Sequence, residues 1–346
     1  KDIRLIATDL NISLVSIESG FGPEGLPDWG GRHFRLLQKP QIAILSHSDF
    51  ASYDVGVTWW SIDQYLGIRH SQVNSSMAGY ADLRRYNTIV MPSGYADLNG
   101  SKKKALMTWV AQGGTLIAHN RSSRLIASAD DFGSVKLLQN TFNNSVDYNF
   151  DLLKEMSASD NYINKAKILN NGIDLDITYP WESSEKALSQ ENLENRDKWQ
   201  SIFMPSGSMV SGRVDQKHWL TFGTPAVLPI LYANYPVLMT NNDTEAVVRI
   251  GELVSNDAIK DFRVINWSSI PPGKDLNVRM SGLVWPEAAQ RIANSAYLTR
   301  ERIGKGQIIL FAGEPNFRGS TRGTNRLWLN ALIYGAGLGA SSKINL

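Results

Sequence analysis

Three short apolar runs decide the fold: Gln41-Ile-Ala-Ile-Leu-Ser-His47, Asn87-Thr-Ile-Val-Met-Pro-Ser-Gly94 and Thr115-Leu-Ile-Ala-His119. Each run has the length of a buried strand and ends in polar or turn-forming residues. Because the runs are apolar throughout rather than alternating with polar residues, we expect both faces of each strand to be covered.

Helical patterns lie between these runs. The segments 55–66 and 102–112 place apolar residues at helical spacing. Gly113 and Gly114 follow the second segment, and glycine tolerates the left-handed conformation that ends many helices. Strands that alternate with helices predict an α/β protein with a mostly parallel sheet, whose strands end at one edge.

The same pattern returns near the C-terminus. Residues 307–312 form another apolar run, and residues 324–334 follow a helical period that Gly335 ends. Between the two α/β parts, residues 201–300 contain short β segments separated by turns such as Pro271-Pro272-Gly273. We therefore expect this β-rich part to be a separate subdomain inserted into the α/β domain.

Domain boundaries follow from these changes of pattern. Residues 1–40 are expected to be a lead-in packed on the main domain, with short strands at Ile3–Ala7 and Ile12–Ile17. The α/β domain would comprise residues 41–128 and 301–346. The inserted β-rich subdomain would comprise residues 129–300.

The composition describes an ordinary globular protein. The chain has 346 residues, of which 42% are hydrophobic and 20% charged, and its net charge is +2. This small charge gives no electrostatic case for nucleic acid or a membrane surface. No apolar run approaches the roughly 20 residues of a membrane span. The chain lacks cysteine, which excludes disulfides, thiolate nucleophiles and cysteine-based zinc sites.

Titratable and polar residues gather where the predicted strands end. Ligands of parallel sheets bind beyond the carboxyl ends of the strands, so we expect a ligand-binding site at this edge. The predicted ligand-binding residues are His47, Ser93, Gly94, Tyr95, His119, Asn120, Arg121, Glu314 and Arg318.

A hydrolase site that uses Ser93 and His119 is one alternative. A serine nucleophile needs an adjacent base and oxyanion donors. The usual nucleophile elbow is Gly-x-Ser-x-Gly between a strand and a helix, and Met91-Pro-Ser-Gly-Tyr95 lacks the first glycine. The simpler interpretation is a tight turn at Pro92-Ser93-Gly94, so we predict no catalytic residue.

A metal site is a second alternative. His47, His119 and Glu314 have the chemistry of a two-histidine, one-carboxylate site. None of the five histidines starts a His-x-x-Glu or His-Glu-x-x-His pattern. The phosphate-binding glycine motifs are also missing. We therefore expect neither a metal nor a cofactor.

The segment 317–324 and the tryptophans have both a functional and a structural interpretation. Arg, Thr and Gly residues at the start of the last helix suit an anion. The favoured interpretation is that Thr324 is only the N-cap. Four tryptophans in helical stretches are expected in the core rather than in a sugar-binding surface. They are Trp59, Trp60, Trp109 and Trp328.

Several segments resemble one known family. They are Lys39-Pro-Gln-Ile-Ala-Ile-Leu45, Asp82-Leu-Arg-Arg-Tyr-Asn-Thr-Ile-Val-Met-Pro92, Trp109-Val-Ala-Gln-Gly-Gly-Thr-Leu-Ile-Ala118 and, most specifically, Gly304-Lys-Gly-Gln-Ile-Ile-Leu-Phe-Ala-Gly-Glu-Pro-Asn-Phe-Arg318. The chain resembles the C-terminal class I glutamine amidotransferase-like region of bacterial zinc carboxypeptidases of the carboxypeptidase A type. The resemblance implies a flavodoxin-like, or class I glutamine amidotransferase-like, parallel sheet with the β-rich insertion.

The resemblance also implies a function. In true amidotransferases the strand that corresponds to 115–119 runs into a nucleophile elbow with cysteine, whereas this chain has His119-Asn120-Arg121. The family therefore implies a non-catalytic accessory domain of an exported zinc carboxypeptidase-like protein, periplasmic or extracellular. Its partners would be the upstream zinc peptidase domain of the same polypeptide and a peptide or cell-wall ligand. The alternative is a stand-alone hydrolase that uses Ser93 and His119.

Overall fold

The structure is a computed structural model that describes residues 2–22, 27–31, 34–47, 49–98, 100–129, 131–160 and 188–340. Residues 161–187 of the predicted insertion and the last six residues of the chain lie outside the described part. The chain divides into two compact units, Lys1–Leu37 and Gln38–Leu346.

The first unit contains helix α1, Ile3–Asp9. The Asp2 side chain caps it by accepting a hydrogen bond from the Arg4 backbone N–H at 3.0 Å. The predicted strand at Ile3–Ala7 is therefore wrong, and residues 12–17 have no regular structure. A strand needs a partner for its backbone groups, whereas a helix satisfies them within its own segment.

The second unit contains the strands and the other helices of the described residues. The strands are β1 Ile42–Ser46, β2 His70–Asn74, β3 Thr88–Met91, β4 Thr115–His119, β5 Lys136–Leu137, β6 Ser208–Val214, β7 Val227–Tyr232, β8 Leu238–Met239, β9 Thr244–Ile250, β10 Glu252–Ser255, β11 Arg263–Ile265, β12 Ser268–Ile270, β13 Lys274–Asn277, β14 Arg279–Ser281, β15 Ala296–Ile303 and β16 Gly306–Phe311. The helices are α2 Ser52–Trp60, α3 Gly100–Ala111, α4 Arg121–Ser128, α5 Ser145–Asp160, α6 Gln190–Gln200, α7 Pro286–Ile292 and α8 Arg322–Tyr334.

Half of the main sheet is parallel. Its order is β2-β1-β3-β4-β16, and each neighbouring pair is parallel. Counted along the chain, this is the flavodoxin-like order 2-1-3-4-5. The predicted α/β class, with a flavodoxin-like or class I glutamine amidotransferase-like parallel sheet, is confirmed. The strands at 41–46, 87–92, 115–119 and 307–312 share this sheet, as predicted.

The other half of the sheet is antiparallel and comes from the inserted segment. Strand β15 pairs with β16 on one side and with β9 on the other, and β9 continues to β6. Twelve strands of the described residues thus form one sheet. This arrangement differs from the separate β-rich subdomain that the sequence predicts, because strands of the inserted segment belong to the main sheet. An unpaired strand at the edge of a sheet leaves backbone groups without partners. Because β15 pairs on both sides, neither half of the sheet ends at an unpaired edge here.

The parallel strands form the centre of the core. All residues of β1, β3 and β4 are buried, and Trp328 of α8 is 1% exposed against them. Trp109 of α3 is also buried, whereas Trp59 is half-buried and Trp60 is exposed. The prediction that these tryptophans belong to the core is therefore right for Trp109 and Trp328 and wrong for Trp60. No helix of the described residues is long and apolar enough to span a membrane.

Candidate functional site

The carboxyl ends of the parallel strands meet at one edge because the strands are in register. Thr88 of β3 pairs with Ile42 of β1, and Thr115 of β4 pairs with both Thr88 and Gln307 of β16. Loops after these four strands therefore leave the sheet on the same side. This edge contains the residues predicted to bind a ligand.

A strained turn follows β4. Asn120 has φ 54° and ψ −116°, and helix α4 begins at the next residue. The Asn120 N–H donates to the Phe311 carbonyl at 3.1 Å, while the hydroxyls of Ser122 and Ser123 donate to the carbonyls of Pro92 and Phe311. These bonds hold the start of α4 against the ends of β3 and β16. The geometry is that of a nucleophile elbow, with an amide side chain at the position of the nucleophile.

His119 lies directly before the elbow and is sealed inside the protein. It is 1% exposed, its Nε2 lies 3.5 Å from the Thr58 hydroxyl, and its ring meets Trp328 edge-on at 6.0 Å. Burial lowers the pKa of His119 to about 4, and the nearby Asp54 carboxylate partly opposes that shift. The ring is therefore neutral at neutral pH. Within the described residues its Nδ1 has no hydrogen-bond partner.

A carboxyl pair lies close to His119. Glu314, in the loop after β16, is 8% exposed, and Asp54 comes from the first turn of α2. Burial, a hydrogen bond with Asp54 and the charge of Asp54 raise the pKa of Glu314 to about 9. Two carboxyl groups that hydrogen-bond each other must share a proton. The Glu314 carboxyl therefore keeps its proton at neutral pH.

Tyrosines of the antiparallel half complete the buried cluster. Burial and the charge of Glu314 raise the pKa of Tyr235 to about 12, although a hydrogen bond with the Glu314 backbone opposes the shift. Its ring packs so closely on Gly313 that a Cβ there would lie 2.3 Å from it. Burial also raises the pKa of Tyr297 in β15. The inserted segment thus supplies side chains to the edge of the parallel half.

The turn after β3 is fastened to the loop after β1. Ser93 is 2% exposed, and its carbonyl accepts a hydrogen bond from the Ala51 N–H at 2.9 Å. A Cβ on Gly94 would lie 2.3 Å from the Asp49 carbonyl, so the close approach requires glycine. Tyr95 is exposed, and the Arg121 guanidinium covers its ring at 4.3 Å.

A cavity of about 550 Å³ opens beside the end of β1. His47 is exposed at its wall with φ 84°, and its Nδ1 lies 3.0 Å from the Ser46 hydroxyl. Phe50, Val55 and Trp59 form the apolar part of the wall. A volume in the range of about 300–1,000 Å³ with mixed lining is usual for small-ligand sites.

The predicted site residues therefore do not form a single site. His47 lines the open cavity, whereas His119 and Glu314 lie in the closed cluster. His47, His119 and Glu314 do not assemble a three-ligand cluster, and among the described residues no other three such side chains do. Ser93 is not the hydrogen-bond partner of the His119 Nε2, which faces Thr58.

The loop before α8 differs from the prediction. The helix begins at Arg322 with Thr321 as its N-cap, so the assignment of Thr324 as N-cap is wrong. The Thr324 hydroxyl instead donates to the Pro315 carbonyl at 2.7 Å and holds the loop that presents Glu314. Arg318 is exposed, has φ 52° and lies over the Phe317 ring.

Sequence reasoning missed Asp54, Thr58 and Tyr235. Asp54 had a usable signal, because a helix that starts just after β1 places its first turn at the carboxyl edge of the sheet. Tyr235 had none, since it lies just before β8, which is placed by its pairing with β15.

Comparisons with known proteins give only remote likenesses. No family model matches the chain, and no curated protein matches it. A putative ThuA-like protein from Bacteroides uniformis is 13% identical, with 84% of this chain and 88% of that chain covered and a TM-score of 0.40. A second one, from Parabacteroides merdae, is 8% identical, with 89% and 93% covered and a TM-score of 0.43.

A β-galactosidase from Bacillus circulans sp. alkalophilus is 12% identical, with a TM-score of 0.42. The match covers 85% of this chain but only 30% of the β-galactosidase. TM-scores between 0.40 and 0.43 do not establish a shared fold. The fold assignment therefore rests on the strand order and connections described above.

Proposed function

We propose that this chain is a non-catalytic, ligand-binding module with an amidotransferase-like fold. The observation that carries the proposal is Asn120 at the elbow. Acyl transfer needs a nucleophile there with a base beside it, and a carboxamide is neither. His119 supports the same conclusion, because it is buried and contacts Thr58 rather than a nucleophile.

In this proposal the module is an accessory domain of an exported zinc carboxypeptidase-like protein, in the periplasm or outside the cell. Support comes from the family resemblance of segments 39–45, 82–92, 109–118 and 304–318. The module would position the upstream zinc peptidase domain of the same polypeptide or bring a ligand to it. The coding sequence upstream of Lys1 is the direct test: it should encode a His-x-x-Glu zinc peptidase domain and an export signal, and their absence would refute the accessory role.

The ligand in this proposal is a peptide or cell-wall fragment bound in the cavity beside β1. The side chains of Phe50 and Trp59 suit an apolar side chain of such a ligand, while His47 and the hydroxyls of Ser46 and Ser52 suit its amide groups.

Binding can be measured by calorimetric titration with a peptidoglycan stem pentapeptide. Trp59→Ala should weaken binding about tenfold, since the side chain lines the cavity. Trp60→Ala is the matched control, because the neighbouring Trp60 does not line it. Equal losses in both variants, or no binding by the wild type, would contradict this ligand site.

The non-catalytic role is tested by hydrolysis assays with esters, amides and glutamine. The wild type, Ser93→Ala and His119→Ala should all remain at the uncatalysed background, because the His119 Nε2 faces Thr58 rather than Ser93. A clear wild-type rate that either substitution abolishes would establish the hydrolase alternative instead.

A further inference from the structure

Three aromatic rings form a row on a face built by α6, the turn after it and the start of α7. The Trp199 and Phe203 rings meet edge-on at 5.2 Å, and those of Phe203 and Trp285 at 6.2 Å. Trp199 is 58% exposed and Trp285 is 49% exposed. Because the three rings are adjacent, they form a contiguous apolar patch, and such patches mark sites of interaction more than single exposed rings do.

A cavity of about 410 Å³ adjoins this row. Its wall is polar apart from Trp199 and two aliphatic residues of β11. The polar lining residues are Arg196, Gln200, Asn266, Glu287 and Gln290.

Hydrogen bonds and an ion pair hold the polar wall of this cavity in place. Asn266 donates through Nδ2 to Gln200 Oε1 at 3.2 Å, and Gln200 donates through Nε2 to Gln290 Oε1 at 3.2 Å. Gln200 and Asn266 are almost fully buried, at 2% and 3% exposure. Beneath them, the buried Arg291–Asp197 ion pair at 2.7 Å joins α7 to α6. The amide chain is thus held in one arrangement.

Two acceptors of this wall remain unused. In the part of the chain that the structure describes, Asn266 Oδ1 and Glu287 Oε2 have no hydrogen-bond partner. A buried acceptor without a partner is unfavourable, so a ligand that donates to it gains affinity. Asn266 also holds φ 56°, a conformation that L-residues rarely adopt.

The chemistry of the ligand follows from this lining. The unused acceptors require hydroxyl or amide donors, and Arg196 offers donors in return. One cation and one carboxylate give the wall no net charge, which favours a neutral ligand. An exposed indole ring suits a ligand with a flat apolar face, such as the C–H face of a pyranose ring.

We propose that the face formed by Trp199, Trp285 and the Gln200–Asn266–Glu287 wall binds a neutral saccharide. It shares no residue with the cavity beside His47, so it stands independently of the proposed peptide-binding site.

The probes are soluble cellotriose, maltotriose and chitotriose, each titrated into the protein and followed by saturation-transfer NMR and calorimetry. At least one trisaccharide should bind. Trp199→Ala and Glu287→Gln should each weaken that binding about tenfold or more, which is roughly 1.4 kcal/mol. Trp60→Ala is the control, because it removes an exposed tryptophan that lies in neither cavity.

Circular dichroism and thermal unfolding establish that each variant is folded, which is expected since the Trp199 side chain is largely exposed. The proposal is overturned if none of the three trisaccharides binds, or if both variants bind as the wild type does. It is also overturned if the wild type is a dimer that binds none of the three trisaccharides and Trp199→Ala is a monomer. The rings would then be an interface between two copies of the chain. Stem-peptide binding should be unchanged in Trp199→Ala.

Discussion

Asn120 holds a backbone conformation that most L-residues avoid, and it does so without a catalytic side chain. It has φ 54° and ψ −116° at the turn between β4 and α4. Asparagine visits positive φ more readily than other non-glycine residues. The strained turn is therefore compatible with asparagine, whose amide cannot act as a nucleophile.

The strain at this position predicts an order of stability. Asn120→Gly should be as stable as the wild type or more stable by about 1 kcal/mol, because glycine adopts this φ without steric cost. Asn120→Val should lose about 2 kcal/mol, since a β-branched side chain is strained there. Urea unfolding measures both. Asn143→Gly, at an exposed position without positive φ, should instead lose stability, and the same sign for both glycine variants would argue against the strain.

Glu314 and His119 predict opposite pH dependences. The pKa of Glu314 rises from 4.5 to about 9 on folding, so the folded state holds its proton more tightly and stability falls as pH rises from about 4.5 to about 9. The pKa of His119 falls from 6.5 to about 4 on folding, so the unfolded state holds its proton more tightly. The stability that His119 contributes is therefore lost as pH falls from about 6.5 to about 4.

Glu314→Gln separates the two effects. The variant should lose most of the decline of stability on the alkaline side and keep the decline on the acid side, because only the carboxyl is removed. Thermal unfolding across this pH range measures it. Glu191→Gln, which removes an exposed carboxyl on α6, is the matched control. An unchanged alkaline slope in Glu314→Gln would mean that the Asp54–Glu314 pair does not share a proton.

The hairpin turn between β15 and β16 shows how closely elements approach in this sheet. The Lys305 N–H donates to the Ala111 carbonyl at 2.9 Å and the Gln307 N–H to the Gly114 carbonyl at 3.0 Å. A Cβ on Gly306 would lie 2.0 Å from the Val110 carbonyl and 2.3 Å from that of Gly114. The backbone of the turn thus packs directly against the backbone at the end of α3.

This contact predicts that Gly306→Ala costs about 3 kcal/mol, because the clashing atoms belong to the backbone and cannot rotate away. Chemical denaturation measures the loss. Gly56→Ala in α2 is the control: no atom lies within 4 Å of the added Cβ, so it should gain about 0.5–1 kcal/mol from helix propensity. A loss below about 1 kcal/mol at Gly306 would show that β16 and α3 can move apart.

At the scale of the whole second unit, one sheet connects the parallel and antiparallel halves through β15. We therefore expect both halves to unfold in a single transition. Trp109 and Trp328 report on the parallel half, and Trp267 lies in the inserted segment. Each variant lacks one of these tryptophans. Within each variant, the unfolding midpoint from tryptophan fluorescence should equal the midpoint from far-UV circular dichroism. Two separated midpoints would restore the interpretation as independent subdomains.

The sequence by itself determined four of the five strands of the parallel half, β1, β3, β4 and β16. A run such as Gln41–His47 or Thr115–His119 is apolar throughout and too short for a typical helix, which favours a strand covered on both faces. The sharp turn at Asn120 was expected from the family resemblance, in which the strand corresponding to 115–119 runs into a nucleophile elbow. His47, His119 and Glu314 could be placed at one edge because parallel strands end together.

Only the tertiary structure decided the rest. Strand β2, His70–Asn74, is polar, and its partner β1 makes it a strand. The proton shared by Asp54 and Glu314 depends on how α2 packs over the edge. Tyr235 reaches the cluster because β8, which follows it, pairs with β15, and β15 in turn pairs with β16 of the parallel half. Such contacts join residues far apart in the chain, and local patterns contain no information about which distant side chains will bury each other.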